Sequence, residues 1–162
     1  NKEYNNLSSL AKDSTVIVLG QITKEDSSFD GDDYIITIYT IDVQRVLKDT
    51  TSLITLGPND APPLPITPSL KFVRPGGVMN VNGHQVSQKL KGVELLKEGK
   101  QYVLFLRWSP AFKSYHLMGG SSGAFLVKDN RITPLGSEKE FKLKHSGADL
   151  EAFVSEVLNV QY

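Results

Sequence analysis

The sequence predicts a mostly β domain of the β+α kind: a small closed or partly open barrel with a short N-terminal helix and an amphipathic C-terminal helix. Three observations predict it. Short runs rich in Val and Ile recur along the chain between Gly, Pro, Asn and Asp turn signals. One long run, Tyr34 to Leu47, changes its apolar phase after Gln44 and Arg45, as a bulged and bent barrel strand does. Near the end, Leu150, Phe153, Val154, Val157 and Leu158 repeat at the spacing of one helix face. A chain of this length buries roughly 70% of its unfolded surface, so residues 1–162 are read as one domain with one nucleus.

Each element follows in order. Tyr4, Leu7, Leu10 and Ala11 recur at helical spacing between Glu3 and Lys12, which predicts a helix packed by one face. Thr15 to Thr23 reads as the first strand, with Gly20 marking a bulge or a close approach of backbone. The charged and small residues from Lys24 to Asp33 read as a hairpin loop, and Tyr34 to Leu47 as the long second strand. Ser52 to Leu56 is read as a third strand. Pro58, Pro62, Pro63, Pro65 and Pro68 then exclude a helix or central strand, leaving an extended surface loop over Gly57 to Ser69.

Lys71 to Val73 resumes an extended pattern, and Asn82-Gly83 between Val81 and Val86 predicts a second hairpin. Tyr102 to Leu106 is apolar in both phases, so Gln101 to Trp108 is read as a strand covered on both faces. Tyr115 to Met118, Ala124 to Val127 and Arg131 to Thr133 complete the strands, the last two joined at Asp129-Asn130. Ser146 and Asp149 stand before the last helix in a capping-box-like arrangement, and that helix is expected to plug or flank the barrel.

Charge and composition narrow the function classes. Lys plus Arg and Asp plus Glu are 18 each, so no net field draws in a nucleic acid. No apolar run reaches the length of a helical membrane span. With no cysteine there is no disulfide, thiolate metal site or cysteine nucleophile. The start at Asn1 rather than Met fits a trimmed or processed secretory product, which points to an exported, extracellular or cell-surface protein with room for a lipid anchor upstream.

The order of elements resembles the oligonucleotide/oligosaccharide-binding (OB) barrel, in the netrin-like form found in tissue inhibitors of metalloproteinases. Ser14 to Ile22, Val43 to Lys48, Pro75-Gly76-Gly77, Glu98 to Leu106 and Gly119 to Phe125 look like segments of uncharacterised secreted bacterial domains. The resemblance implies a fold and an exported setting; its segments are mostly scaffold positions. The inhibitors bind the protease zinc through an N-terminal cysteine, which this chain lacks, so that mechanism does not transfer.

Several constellations are weighed on their own chemistry. Asp26, Ser28, Asp30 and Asp32 place oxygen ligands as the first half of a calcium loop does, with Gly31 at the turn, but Thr37 stands where the closing Glu belongs. A solvated acidic hairpin is the simpler reading. Gly119-Gly120-Ser121-Ser122-Gly123 contains G-x-S-x-G, yet a strand rather than a helix is expected to follow, so it reads as backbone packing at a corner. His84, His116 and His145 lack metal-ligand spacing and read as solvated or singly hydrogen-bonded. Tyr39, Trp108, Phe112 and Tyr115, near Lys113 and Arg107, are the aromatics left for base stacking, with Trp108 otherwise capping the barrel end.

Pro62, Pro63, Leu64 and Pro65 form the candidate partner-binding loop, since a polyproline segment presents itself extended. The expectation is a non-enzymatic extracytoplasmic module that binds another protein or a cell-envelope component through barrel-end loops, without a cofactor. The alternative is an enzyme or small-ligand barrel whose site is assembled from sequence-distant residues. A filled barrel interior favours the first.

Overall fold

The structure is a computed structural model describing residues 4–31, 33–91 and 94–162. Helix α1 (Leu7–Asp13) opens at Asn6, whose side chain accepts from the Ser9 amide, and buries Leu7, Leu10 and Ala11. Strands β1 (Val16–Asp30) and β2 (Tyr34–Asp49) follow as one long antiparallel hairpin. The expected loop from Lys24 is therefore strand as far as Asp30, because Lys24 to Asp30 pair in register with Tyr34 to Thr40. Pairing supplies the backbone hydrogen bonds that the polar side chains leave undecided.

The β2 bend falls where its phase changes. Leu19 pairs with Arg45 and Gly20 with Val43, so Gln44 is the extra residue of a bulge. At Gly20 a Cβ would lie 2.2 Å from the Asp42 carbonyl oxygen, a close approach that only glycine permits.

The expected third strand at Ser52 to Leu56 is absent. Thr51–Leu53 forms a 3-10 turn and the chain then runs irregularly through the prolines. Asp49 holds that turn by accepting from the Thr51 amide and hydroxyl, which draws the chain out of strand geometry. The third strand is instead β3 (Ser69–Pro75), antiparallel to β2. Hairpin β4 (Gly77–Val81) and β5 (His84–Gln88) forms a separate two-stranded sheet with its turn at Asn82-Gly83, both at positive φ.

Strand β6 (Gln101–Ser109) pairs with β1, with β7 (Ser114–Leu117) and with β8 (Ala124–Lys128), which pairs with β9 (Arg131–Pro134). Strand β7 also pairs in parallel with β3, at Phe72 with Tyr115 and Val73 with His116. The pairings β1, β2, β3, β7, β6 and back to β1 make a partial ring, closed at β3 and β7 by two residue pairs only.

Two helices follow. Helix α2 (Lys139–His145) was not expected from the sequence; Ser146 caps its C-terminal end, so it takes no part in the box expected with Asp149. Asp149 alone caps α3 (Leu150–Leu158), accepting from the Ala152 amide. Among the described residues no helix is long and apolar enough to cross a membrane.

Two apolar clusters form where one nucleus was expected. Inside the ring lie Val16, Val18, Ile22, Tyr39, Ile41, Phe72, Leu104, Leu106 and Trp108. Against the outer face of β1, β6, β8 and β9 lie the three helices, through Leu10, Phe141, Phe153 and Val157 on Ile17, Phe105 and Phe125. Alternate residues of β1 and β6 feed each cluster, which is why β6 reads as apolar in both phases. The C-terminal helix flanks the ring and does not plug it.

Candidate functional site

Trp108 and Tyr115 sit opposite each other on β6 and β7, with rings edge-on at 4.9 Å. Both are buried, because Trp108 shares the inward phase of Leu104 and Leu106. Their polar tips reach out of the ring and meet the proline segment: Trp108 Nε1 donates to the Ala61 carbonyl at 3.1 Å and Tyr115 Oη to the Leu64 carbonyl at 2.7 Å. Ile66, from the same segment, is buried in the inner cluster. The candidate loop Pro62, Pro63, Leu64 and Pro65 is thus a strap fastened over the aromatic pair.

The strap turns its carbonyls and Ile66 inward and rests Ala61 against the inner cluster, with Pro63 half-buried, so the side chains left facing solvent are those of Pro62, Leu64 and Pro65. Leu64 is 55% exposed, and Pro62 and Pro65 are exposed beside it. The adjoining turns carry Leu53 at 78% and Phe112 at 77% exposure. A groove of about 860 Å³ runs below, lined by Leu53, Trp108, Pro110, Lys48, Arg107 and Tyr162. In it Lys48 donates to the Ala11 carbonyl at 2.7 Å and lies 4.0 Å from the Tyr162 ring centre. Burial pushes the Lys48 amine below its ordinary range, and nearby Asp13 partly opposes this. Burial also pushes the Tyr115 phenol up to about 12, so it stays a hydrogen-bond donor to the strap.

The structure separates the other candidates. Asp26, Ser28 and Asp30 alternate along the β1 edge, spaced out by the strand rather than gathered around a point, and Asp26 pairs with Lys24 at 3.3 Å. Asp32 lies outside the described residues. Among the described residues no group of three His, Asp or Glu is placed to hold a metal ion.

Ser121 of the G-x-S-x-G run is buried; its hydroxyl accepts from the Glu94 amide at 2.8 Å and lies 3.3 Å from the Arg74 guanidinium. Strand β8 follows it, not a helix. Ser122 donates to Glu138. Gly123 is packed so that a Cβ would stand 2.6 Å from the Met118 carbonyl oxygen.

The histidines have three separate environments. His84 is exposed on β5. His116 is half-buried with Nε2 at 2.7 Å from Ser114 Oγ, and burial lowers its pKa. His145 is not solvated: it is buried among Phe125, Phe141 and Phe153, with Nε2 at 3.1 Å from Glu156.

Of the aromatics considered for base stacking, Tyr39, Trp108 and Tyr115 are buried and only Phe112 is presented to solvent. The sequence reading missed that Trp108 and Tyr115 hold the proline segment; the inward phase of Trp108 with Leu104 and Leu106 is the signal that places it. It also missed Arg74, which shares the phase of Leu70 and Phe72 and is one of the largest fully buried side chains. Compared with known proteins, the chain is matched by no family model and by none of the curated proteins.

Proposed function

We propose that the chain is a non-enzymatic, extracytoplasmic binding module, built on an OB-like ring of the netrin type, that engages another protein or a cell-envelope component through its strapped end. The observation that carries this reading is the strap. A segment rich in proline is tied to Trp108 and Tyr115 by two hydrogen bonds while Leu64 projects outward beside the exposed Pro62 and Pro65. A surface fixed before it meets a partner loses less freedom on binding, and exposed apolar anchors are the usual source of contact energy.

Supporting points come from elsewhere in the molecule. The five-stranded, partly open ring fits the OB pattern. Its interior is filled by Tyr39, Phe72, Leu104 and Trp108, which leaves little room for a substrate in the ring. The likeness of several segments to secreted bacterial domains supports the exported setting.

The test compares retention of envelope and secreted proteins by the wild-type chain and by the double variant Leu64→Glu, Phe112→Ser. Both positions are exposed, so the melting temperature is expected to stay within a few degrees. A defined partner retained by the wild type and lost by the variant supports the reading. The same set of proteins retained by both removes it.

A further inference from the structure

Beyond the two paired residues that close the ring, β3 and β7 part company. Arg74 continues along β2, paired with Thr37, while Leu117 continues along β6, paired with Leu106. A cavity of about 220 Å³ opens in that gap, lined by Arg74, Lys91, His116, Leu117 and Gly120 among others. Two of its walls, Arg74 and Lys91, are cationic side chains, His116 adds a polar one, and no carboxylate among the described residues lines it.

Arg74 is the unusual member. It is 2% exposed, and no carboxylate among the described residues lies within ion-pair distance of it. Its guanidinium contacts the Glu94 and Gly120 carbonyls and the Ser121 hydroxyl, all neutral acceptors. The Glu94 side chain is exposed and attracts it only from a distance. A buried cation whose hydrogen-bond partners are all neutral, with a carboxylate acting on it only at long range, lacks the paired counter-charge that ordinarily accompanies one.

We propose that this cavity binds a small phosphate-type oxyanion. Arg74 supplies its positive charge and the N–H groups that the Glu94, Gly120 and Ser121 oxygens leave free, and Lys91 at the exposed rim supplies a point charge. His116 engages Ser114 through Nε2, which leaves Nδ1 as its second hydrogen-bonding position. The volume falls below the range of about 300 to 1,000 Å³ typical of sites for larger ligands, so the occupant is a single anionic group rather than a nucleotide. This site is separate from the strap, and its failure leaves the strap reading untouched.

The test is a titration of the isotope-labelled full chain with inorganic phosphate, followed by NMR at ionic strength held constant with chloride. Saturable shifts are expected at Arg74, His116 and Gly120. The single variants Lys91→Gln and His116→Gln, each checked for an unchanged amide fingerprint, should weaken binding roughly fivefold or more. Acetate, with one charge, should bind more weakly than phosphate. A parallel titration with O-phosphoserine separates the sources: tighter binding than phosphate marks a phosphorylated side chain as the occupant, and equal or weaker binding marks the free anion. Non-saturating shifts spread over the surface lysines, or undiminished affinity in both variants, would overturn the proposal.

Discussion

At Gly20 the chain has room for a hydrogen and nothing larger. A methyl group there would meet the Asp42 carbonyl oxygen at 2.2 Å and Ile41 Cγ1 at 2.8 Å, both parts of a paired strand that cannot retreat cheaply. Gly20→Ala is therefore expected to destabilise the fold by about 1 to 3 kcal/mol, the range for overpacked positions. Urea unfolding checks it: an unchanged midpoint would mean that β2 gives way freely. This position was legible in the sequence, since a glycine inside a Val and Ile run weakens the strand and persists where backbone must pass close by. Arg74 was not, because a charged residue in a strand is ordinarily assigned to the solvent face. Only its phase with Leu70 and Phe72 pointed inward, and phase alone does not outweigh the cost of burying a charge.

The proline segment behaves as an element although it has no regular hydrogen bonding of its own. Its tie to Trp108 can be removed alone: Trp108→Phe keeps a buried ring but deletes the Nε1 donor to the Ala61 carbonyl. The expected cost is about 1 kcal/mol, together with faster hydrogen exchange over Ala61 to Ile66. Exchange unchanged in that segment would show that Tyr115 and Ile66 suffice to hold it. The sequence disclosed the segment, because five prolines admit no ladder, but not its anchors, since a carbonyl acceptor leaves no mark in composition. Helix α2 escaped notice for a related reason. Only Phe141 and His145 of its seven residues are buried while Leu143 points outward, so no apolar periodicity marks it. The hairpins β4–β5 and β8–β9 were legible because their turn residues, Asn82-Gly83 and Asp129-Asn130, adopt the positive φ that their chemistry favours.

Across the whole molecule, β1 and β6 belong to two apolar clusters at once, one inside the ring and one beneath the helices. Damage to either cluster reaches the other through shared backbone. Leu104→Ala inside the ring and Phe125→Ala beneath the helices should each cost about 2 to 5 kcal/mol. Each should shift one common calorimetric transition rather than split it. Two separated peaks in either variant would show that the clusters melt independently. A second nucleus was not legible because a doubly apolar strand announces that both faces are covered without saying by what. Past Gln21, where β6 stops pairing with it, the long first strand runs on to Asp30 with one edge unmatched by any strand among the described residues. Such a margin is a template on which other chains can assemble into extended sheets. Lys24, Glu25, Asp26 and Asp30 stud it with charge, so the same acidic residues that looked like ligands in the sequence protect the molecule against self-association.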